Sequence, residues 1–293
     1  MLFDEKSVEK TGYQSINLSM PGSTPRVWYY LLEQADNNAD AFDAIVIPLS
    51  SYSLKSIDDD PVNRREDLNF LLPMANAHEL LNAASTFEEP ELISEATWGE
   101  VLRMWSFHED LRAFLTNPLK RLKDVKEHRL CVNFGDYAYA GHDGSLSEVR
   151  FVGKRLLNVP QSIPAYVDRG IQKQFAEVDK TEATPQQLKY HEYWLAQIAQ
   201  RYLNSRTKLI VVRIPTNPFL AAYQKQDVAA PLAKLRNQKN VFILSANQFS
   251  HLEKPNYFFD DLHLNRSGRE LFSKGITAKV IELMPPVKVS YGG

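Results

Sequence analysis

Three short runs constrain the fold more than anything else in this chain: Ala44-Ile-Val-Ile-Pro-Leu49, Leu209-Ile-Val-Val-Arg-Ile214 and Val241-Phe-Ile-Leu244. Each is rich in β-branched residues and lacks polar residues at alternate positions. A strand with one wet face alternates, whereas a strand covered on both faces does not. The runs therefore predict strands of a parallel sheet, and successive parallel strands need crossovers, usually helical, that cover the faces. The intervening sequence supplies them. Thr24 followed by Pro25 opens a helix with Val27, Tyr30 and Leu31 on one face. Residues 185–203 predict a long helix and 229–235 a short one. Phe272, Ile276, Val280 and Leu283 share one face of a last helix that Pro285-Pro286 stops, leaving 287–293 as a tail. Ser15-Ile-Asn-Leu-Ser19 is a fourth strand candidate, preceded by a helix at 4–10. The expected fold class is α/β, a doubly wound, mostly parallel sheet flanked by helices.

Between residues 53 and 184 the pattern changes to charged helices at 75–85, 94–106 and 118–126, then a Gly/Tyr-rich stretch at 134–141. With no strand of the buried type there, we read a mostly helical insertion, of a kind that suits a lid or cap, within a single domain spanning 1–293. At 44% hydrophobic and 24% charged, 293 residues can bury a large core, which excludes a disordered chain. A net charge of -2 with scattered Lys and Arg gives no basic field, so nucleic acid is not an expected partner. No apolar run approaches the ~20 residues of a membrane span, and Met1-Leu-Phe-Asp-Glu-Lys6 is not a signal peptide. As written the chain reads as soluble; the lone Cys131 excludes an internal disulfide but leaves the compartment open.

The stretch richest in chemistry is Tyr257-Phe-Phe-Asp-Asp-Leu-His-Leu-Asn-Arg-Ser-Gly268, which runs from the third strand candidate into the last helix. Ligands of open α/β sheets bind at the carboxyl ends of strands, and this loop follows one. Asp260 and His263 stand three apart. Across one turn, that spacing sets a carboxylate against one imidazole nitrogen and leaves the other free to take a proton from a nucleophile. The plainer reading, with Asp260 as a turn cap, stays beside it.

The longer string His263-Leu-Asn-x-x-Gly268, opening an amphipathic helix, is rarer. It resembles the last sequence block of the SGNH (GDSL-like) hydrolases, where Asp-x-x-His supplies two members of a Ser-His-Asp triad. That resemblance implies a three-layer, flavodoxin-like sheet, with His263 as base and Asp260 orienting it. The family's second block is similar to Asn17-Leu-Ser-Met-Pro-Gly22, which implies that the Gly22 N–H points into an oxyanion hole; read by itself, Pro21-Gly22 is an ordinary type II turn. The third block fits badly. Where the family carries Gly-x-Asn-Asp after a buried strand, Ser50, Ser51, Tyr52 and Ser53 stand instead; Tyr52 or Ser51 is the substitute donor, or all are plain turn formers. Pro48 suggests that this strand ends early.

The first block, a strand ending in Gly-Asp-Ser, has no counterpart, and no Gly-x-Ser-x-Gly occurs. The expectation is that the nucleophilic serine lies upstream of Met1, with a leader for export or a periplasmic location a further possibility of that upstream sequence. Ser19 and Ser23 are poorer candidates because neither sits on a strand-to-helix elbow.

The resemblance implies a serine-type ester hydrolase, or an O-acyl (acetyl) transferase acting on an O-acylated substrate such as an envelope glycan, with an acyl-transfer partner in the envelope. The rivals are a non-catalytic SGNH-like binding or scaffolding protein and a flavodoxin-like binding module. No cofactor is expected. The seven histidines lack ligand spacing, Asp58-Asp-Asp60 followed by Pro61 is not a calcium loop, and no phosphate-binding glycine loop occurs.

Overall fold

The computed structural model describes residues 12–20, 22–50, 60–101, 108–131, 145–148, 150–152, 155–158, 183–218, 230–260 and 263–284. The expected helix at 4–10, the far end of that at 94–106, the 134–141 stretch, Ser51, Tyr52, Ser53 and everything from Pro285 onward lie outside them. The described elements are those of an α/β protein, with α-helices flanking a small parallel sheet. The chain divides into two compact units. One comprises Met1–Ser19, Asn38–Ser56 and Gly141–Gly293; the other comprises Met20–Asn37 and Ile57–Ala140.

In the other unit, helix α1 (Pro25–Ala35) is followed by α2 (Arg65–Met74), α3 (Ala77–Ala84), α4 (Pro90–Val101), α5 (His108–Thr116) and α6 (Pro118–Cys131). Thr24 takes the N-cap position of α1, but its side chain does not cap. Its hydroxyl donates instead to the Oδ2 of Asp67, at 2.8 Å. The buried residues of α1 include Arg26, Val27, Tyr30 and Leu32, so the covered face is rotated from the expected one, and Leu31 is only half-buried. That rotation comes from Arg26, which is 1% exposed. Its guanidinium lies 4.2 Å over the Phe87 ring, donates to the Val62 carbonyl at 2.6 Å and reaches Asp67 at 3.7 Å. Asp67 also accepts from Arg64 at 2.8 Å. Beside this charged cluster Leu68, Ala84, Phe87, Leu92 and Ala96 pack into an apolar one.

The unit containing the C-terminus is built on the sheet. Strands β1 (Ala44–Leu49), β4 (Lys208–Arg213) and β5 (Val241–Ile243) lie in the order β1-β4-β5, all parallel. Leu209, Ile210, Val211 and Val212 are each at most 2% exposed, so both faces of β4 are covered, as their unalternating pattern requires. The even-numbered face meets helix α8 (Arg266–Leu283): Val212 packs with Phe249, Leu252, Phe272 and Ile276, and Val46, Leu264 and Val280 pack against them. Phe249 and Phe272 meet edge to face, with centroids 4.8 Å apart. Helix α7 (Pro185–Arg201) begins with a capping box, Thr184 with Gln187, and packs on the 3₁₀ segment Ala230–Leu235.

Three further expectations are corrected. Ser15–Ser19 forms no strand: the Asn17 side chain accepts from both the Ser19 N–H and hydroxyl, at 3.1 and 2.7 Å, and this local bonding competes with a ladder. Residues 230–235 wind as 3₁₀ rather than α. Within 53–184 a short antiparallel pair, β2 (Arg150–Val152) and β3 (Arg155–Asn158), accompanies the helices. The first strand does not stop at Pro48. Lys208 N–H to Asp43 O and Ile214 N–H to Leu49 O bracket the β1–β4 ladder, so the odd-numbered residues of β1 bond to β4 and Pro48 presents its missing donor to the other side.

Replacing Asp67 by Leu strands Arg26 and Arg64 beside an apolar side chain. The expected loss is about 3–5 kcal/mol, read as a fall in the urea midpoint of the transition followed by tryptophan fluorescence.

Candidate functional site

The loop between β5 and α8 folds back on itself. Phe258 and Leu264 form an antiparallel bridge, flanked by Asn265 N–H to Tyr257 O at 2.9 Å and Phe259 N–H to His263 O at 3.0 Å. Phe258 is fully buried and Phe259 nearly so, which anchors the outgoing limb; Leu146 donates its N–H to the Phe258 carbonyl from behind. Asp260 and His263 therefore face each other across the reversal.

The Asp260 carboxylate holds His263 twice. One oxygen accepts the His263 backbone N–H at 2.5 Å, and the other lies 2.7 Å from ring Nδ1. In the neutral imidazole this bond puts the proton on Nδ1 and makes Nε2 the acceptor. The Asp260 side chain is 11% exposed and that of His263 49%, so the orienting group is sheltered while the ring meets solvent. A buried carboxylate needs such partners; a half-exposed imidazole with one nitrogen committed has the form of a general base.

Two further contacts fix this loop to the sheet. Asn217, 1% exposed and shortly beyond β4, donates its side-chain N–H to the Asp260 carbonyl at 2.9 Å. Arg213, at the end of β4, lies 2.7 Å from Glu253, which also accepts the Thr216 N–H at 3.0 Å. These bonds tie the exit of β4 to the segment leading into Asp260.

The rest of the string has structural work. Asn265 caps α8, its Oδ1 accepting the Gly268 N–H at 3.0 Å, and its amide donates to the Asn256 carbonyl at 2.8 Å. A Cβ at Gly268 would lie 2.4 Å from the Tyr257 carbonyl oxygen, so only glycine permits this approach. His263-Leu-Asn-x-x-Gly268 is thus at once a base, a core residue, a cap and a close contact. The site lies at the carboxyl end of the sheet: α8, about 27 Å long for its 18 residues, ends with Leu283 O accepting from Lys208 at the start of β4. A cleft of about 280 Å³ lined by Asp43, Arg206, Lys208, Leu283 and Met284 is at the opposite, amino end and has no part in this constellation.

Of the residues singled out in the sequence, Asp260 and His263 are brought together. Gly22 belongs to the other unit, where Ser23 N–H to Met20 O at 3.2 Å closes a turn and Gly22 takes φ +74°, the third-position geometry of a type II turn. Tyr52 lies outside the described residues. Ser19 and Ser23 spend their hydroxyl protons locally, on Asn17 Oδ1 and the Met20 carbonyl. Asn217, Arg213 and Glu253 were not anticipated. The Arg213-Ile-Pro-Thr-Asn217 stretch showed turn formers after a strand, but nothing in it points to partners some 40 residues further on. Among the described residues no group of acids, histidines or cysteine is placed to hold a metal ion, and no described helix is long and apolar enough to cross a membrane. Comparison with known protein families, with curated proteins and with solved structures found no match.

Gly268→Ala is expected to cost about 1–3 kcal/mol, since the Tyr257 backbone must shift. Asn217→Ala leaves the Asp260 carbonyl buried without that donor and is expected to cost a similar ~1–3 kcal/mol. Chemical denaturation of each variant, with the m-value unchanged, checks both.

Proposed function

We propose that this chain is an SGNH-like serine esterase or O-acyl transferase and that Asp260 and His263 are two members of its triad. The single observation that carries the reading is the carboxylate–imidazole pair at 2.7 Å, sheltered on the carboxylate side and open on the imidazole side, at the carboxyl end of a parallel sheet. The order β1-β4-β5 fits one half of the doubly wound, three-layer sheet that such enzymes use.

In this reading His263 Nε2 takes the proton of a serine hydroxyl as that oxygen attacks an acyl carbonyl. The C–O bond to the leaving alcohol breaks as the same nitrogen returns the proton to it. A second alcohol or water then receives the acyl group by the reverse sequence. Asp260 keeps the ring in its productive tautomer and balances the charge of the imidazolium. The sequence resemblance alone names the Gly22 N–H and Tyr52 as the oxyanion donors. The substrate class is an O-acyl, chiefly O-acetyl, ester of an envelope glycan, and no cofactor takes part. The rival is a non-catalytic binding or scaffolding relative in envelope assembly, favoured by Tyr52 standing where the third block carries its Asn and by the missing Gly-Asp-Ser block.

The test is labelling of the protein with a fluorophosphonate, followed by peptide mass spectrometry and acetyl-ester turnover. A single modified serine is expected, with kcat/KM falling by on the order of 10³-fold or more in His263→Ala and comparably in Asp260→Asn. Absence of both adduct and turnover overturns the enzyme and leaves the scaffold; turnover unaffected by His263→Ala overturns the triad.

A further inference from the structure

We propose that the hairpin of α5 and α6 docks on the surface of an anionic phospholipid bilayer. The two helices meet at Asn117, which accepts the Arg121 N–H at 3.0 Å, and pack on one another. Their outer surface is unusually apolar. Leu111, Phe114 and Leu115, at helical spacing on α5, and Leu119 and Leu122 on α6 are all exposed, Leu115 by 70% and Leu119 by 82%. An isolated exposed leucine needs no explanation, but five large apolar side chains within one short hairpin do.

Charge decides what covers them. From Arg112 to Lys123 the sequence holds four cations, Arg112, Lys120, Arg121 and Lys123, and no acid; Glu109, Asp110 and Asp124 flank that stretch. The whole chain is net negative, so this cationic tip stands against the general composition. Exposed apolar side chains interleaved with Lys and Arg along the hairpin match the interface of an anionic bilayer. There the leucines enter the acyl boundary, the long cationic side chains extend to lipid phosphates, and the attraction adds up per charge. The helices, of 9 and 14 residues, are too short to span and so would lie in the interface. The inference is independent of the ester chemistry proposed above.

The test is flotation of the intact protein with vesicles of phosphatidylcholine alone or mixed equally with phosphatidylglycerol. Wild type is expected to partition on the order of tenfold or more better into the anionic vesicles, and to lose that advantage at high salt. Leu115→Ser/Leu119→Ser and Lys120→Glu/Lys123→Glu should each weaken partitioning on the order of tenfold, with circular dichroism and melting unchanged because all four positions are exposed. The proposal is overturned if wild type does not float with anionic vesicles, if it floats equally with both, or if the Leu115/Leu119 variant floats like wild type. Light scattering that shows a dimer broken by that variant, without vesicle binding, would assign the surface to a second copy of the chain and likewise overturn it.

Discussion

The pairing of β1 with β4 is the contact on which the sheet-bearing unit depends. Parallel neighbours cannot be joined by a tight turn, and here the two strands are far apart in sequence: the Thr207 hydroxyl donates to the Phe42 carbonyl across 165 positions. Lys208 N–H to Asp43 O opens the ladder and Ile214 N–H to Leu49 O closes it. Once β4 is so placed, β5 has its neighbour, α8 has a floor of Val46 and Val212, and Asn217 stands where it can hold Asp260. Closing so long a loop costs entropy before any contact returns it, so the pairing must be supported by burial, which is most complete along β4.

The unbroken apolar runs are why the strands were legible, although only β4 is buried on both faces, while β1 and β5 are in large part half-buried. Ala44–Leu49 was recognisable because nothing in it alternates, and β4 and β5 for the same reason. Ser15–Ser19 misled because its alternation of apolar and polar residues has the period of a strand, while the decisive fact, Asn17 bonding its own near neighbour, is a matter of side-chain geometry. The short helix at 229–235 misled because the sequence pattern does not separate one and a half turns of α from 3₁₀. The buried face of α1 shifted because a charged residue, Arg26, is interred against Phe87, and no hydrophobic pattern marks an arginine as core.

At the candidate site the local half was readable and the distant half was not. Asp260 and His263 are three residues apart, so their meeting needs only a turn. Asn217 and Glu253 reach the same loop from elsewhere in the chain, and such partners become visible only once the strands are in register. The α5–α6 hairpin shows the opposite failure. Its leucines and cations are plain in the sequence, but apolar residues at helical spacing signal a buried face as readily as a bare one, and only the packing distinguishes them.

Pro48 has one more effect on the sheet. On the side of β1 turned away from β4, Ala44 and Val46 offer an ordinary backbone edge, but the next rung has no donor. A strand added there would lose one ladder bond near the carboxyl end, so the proline blunts that side of β1 against the addition of a further strand.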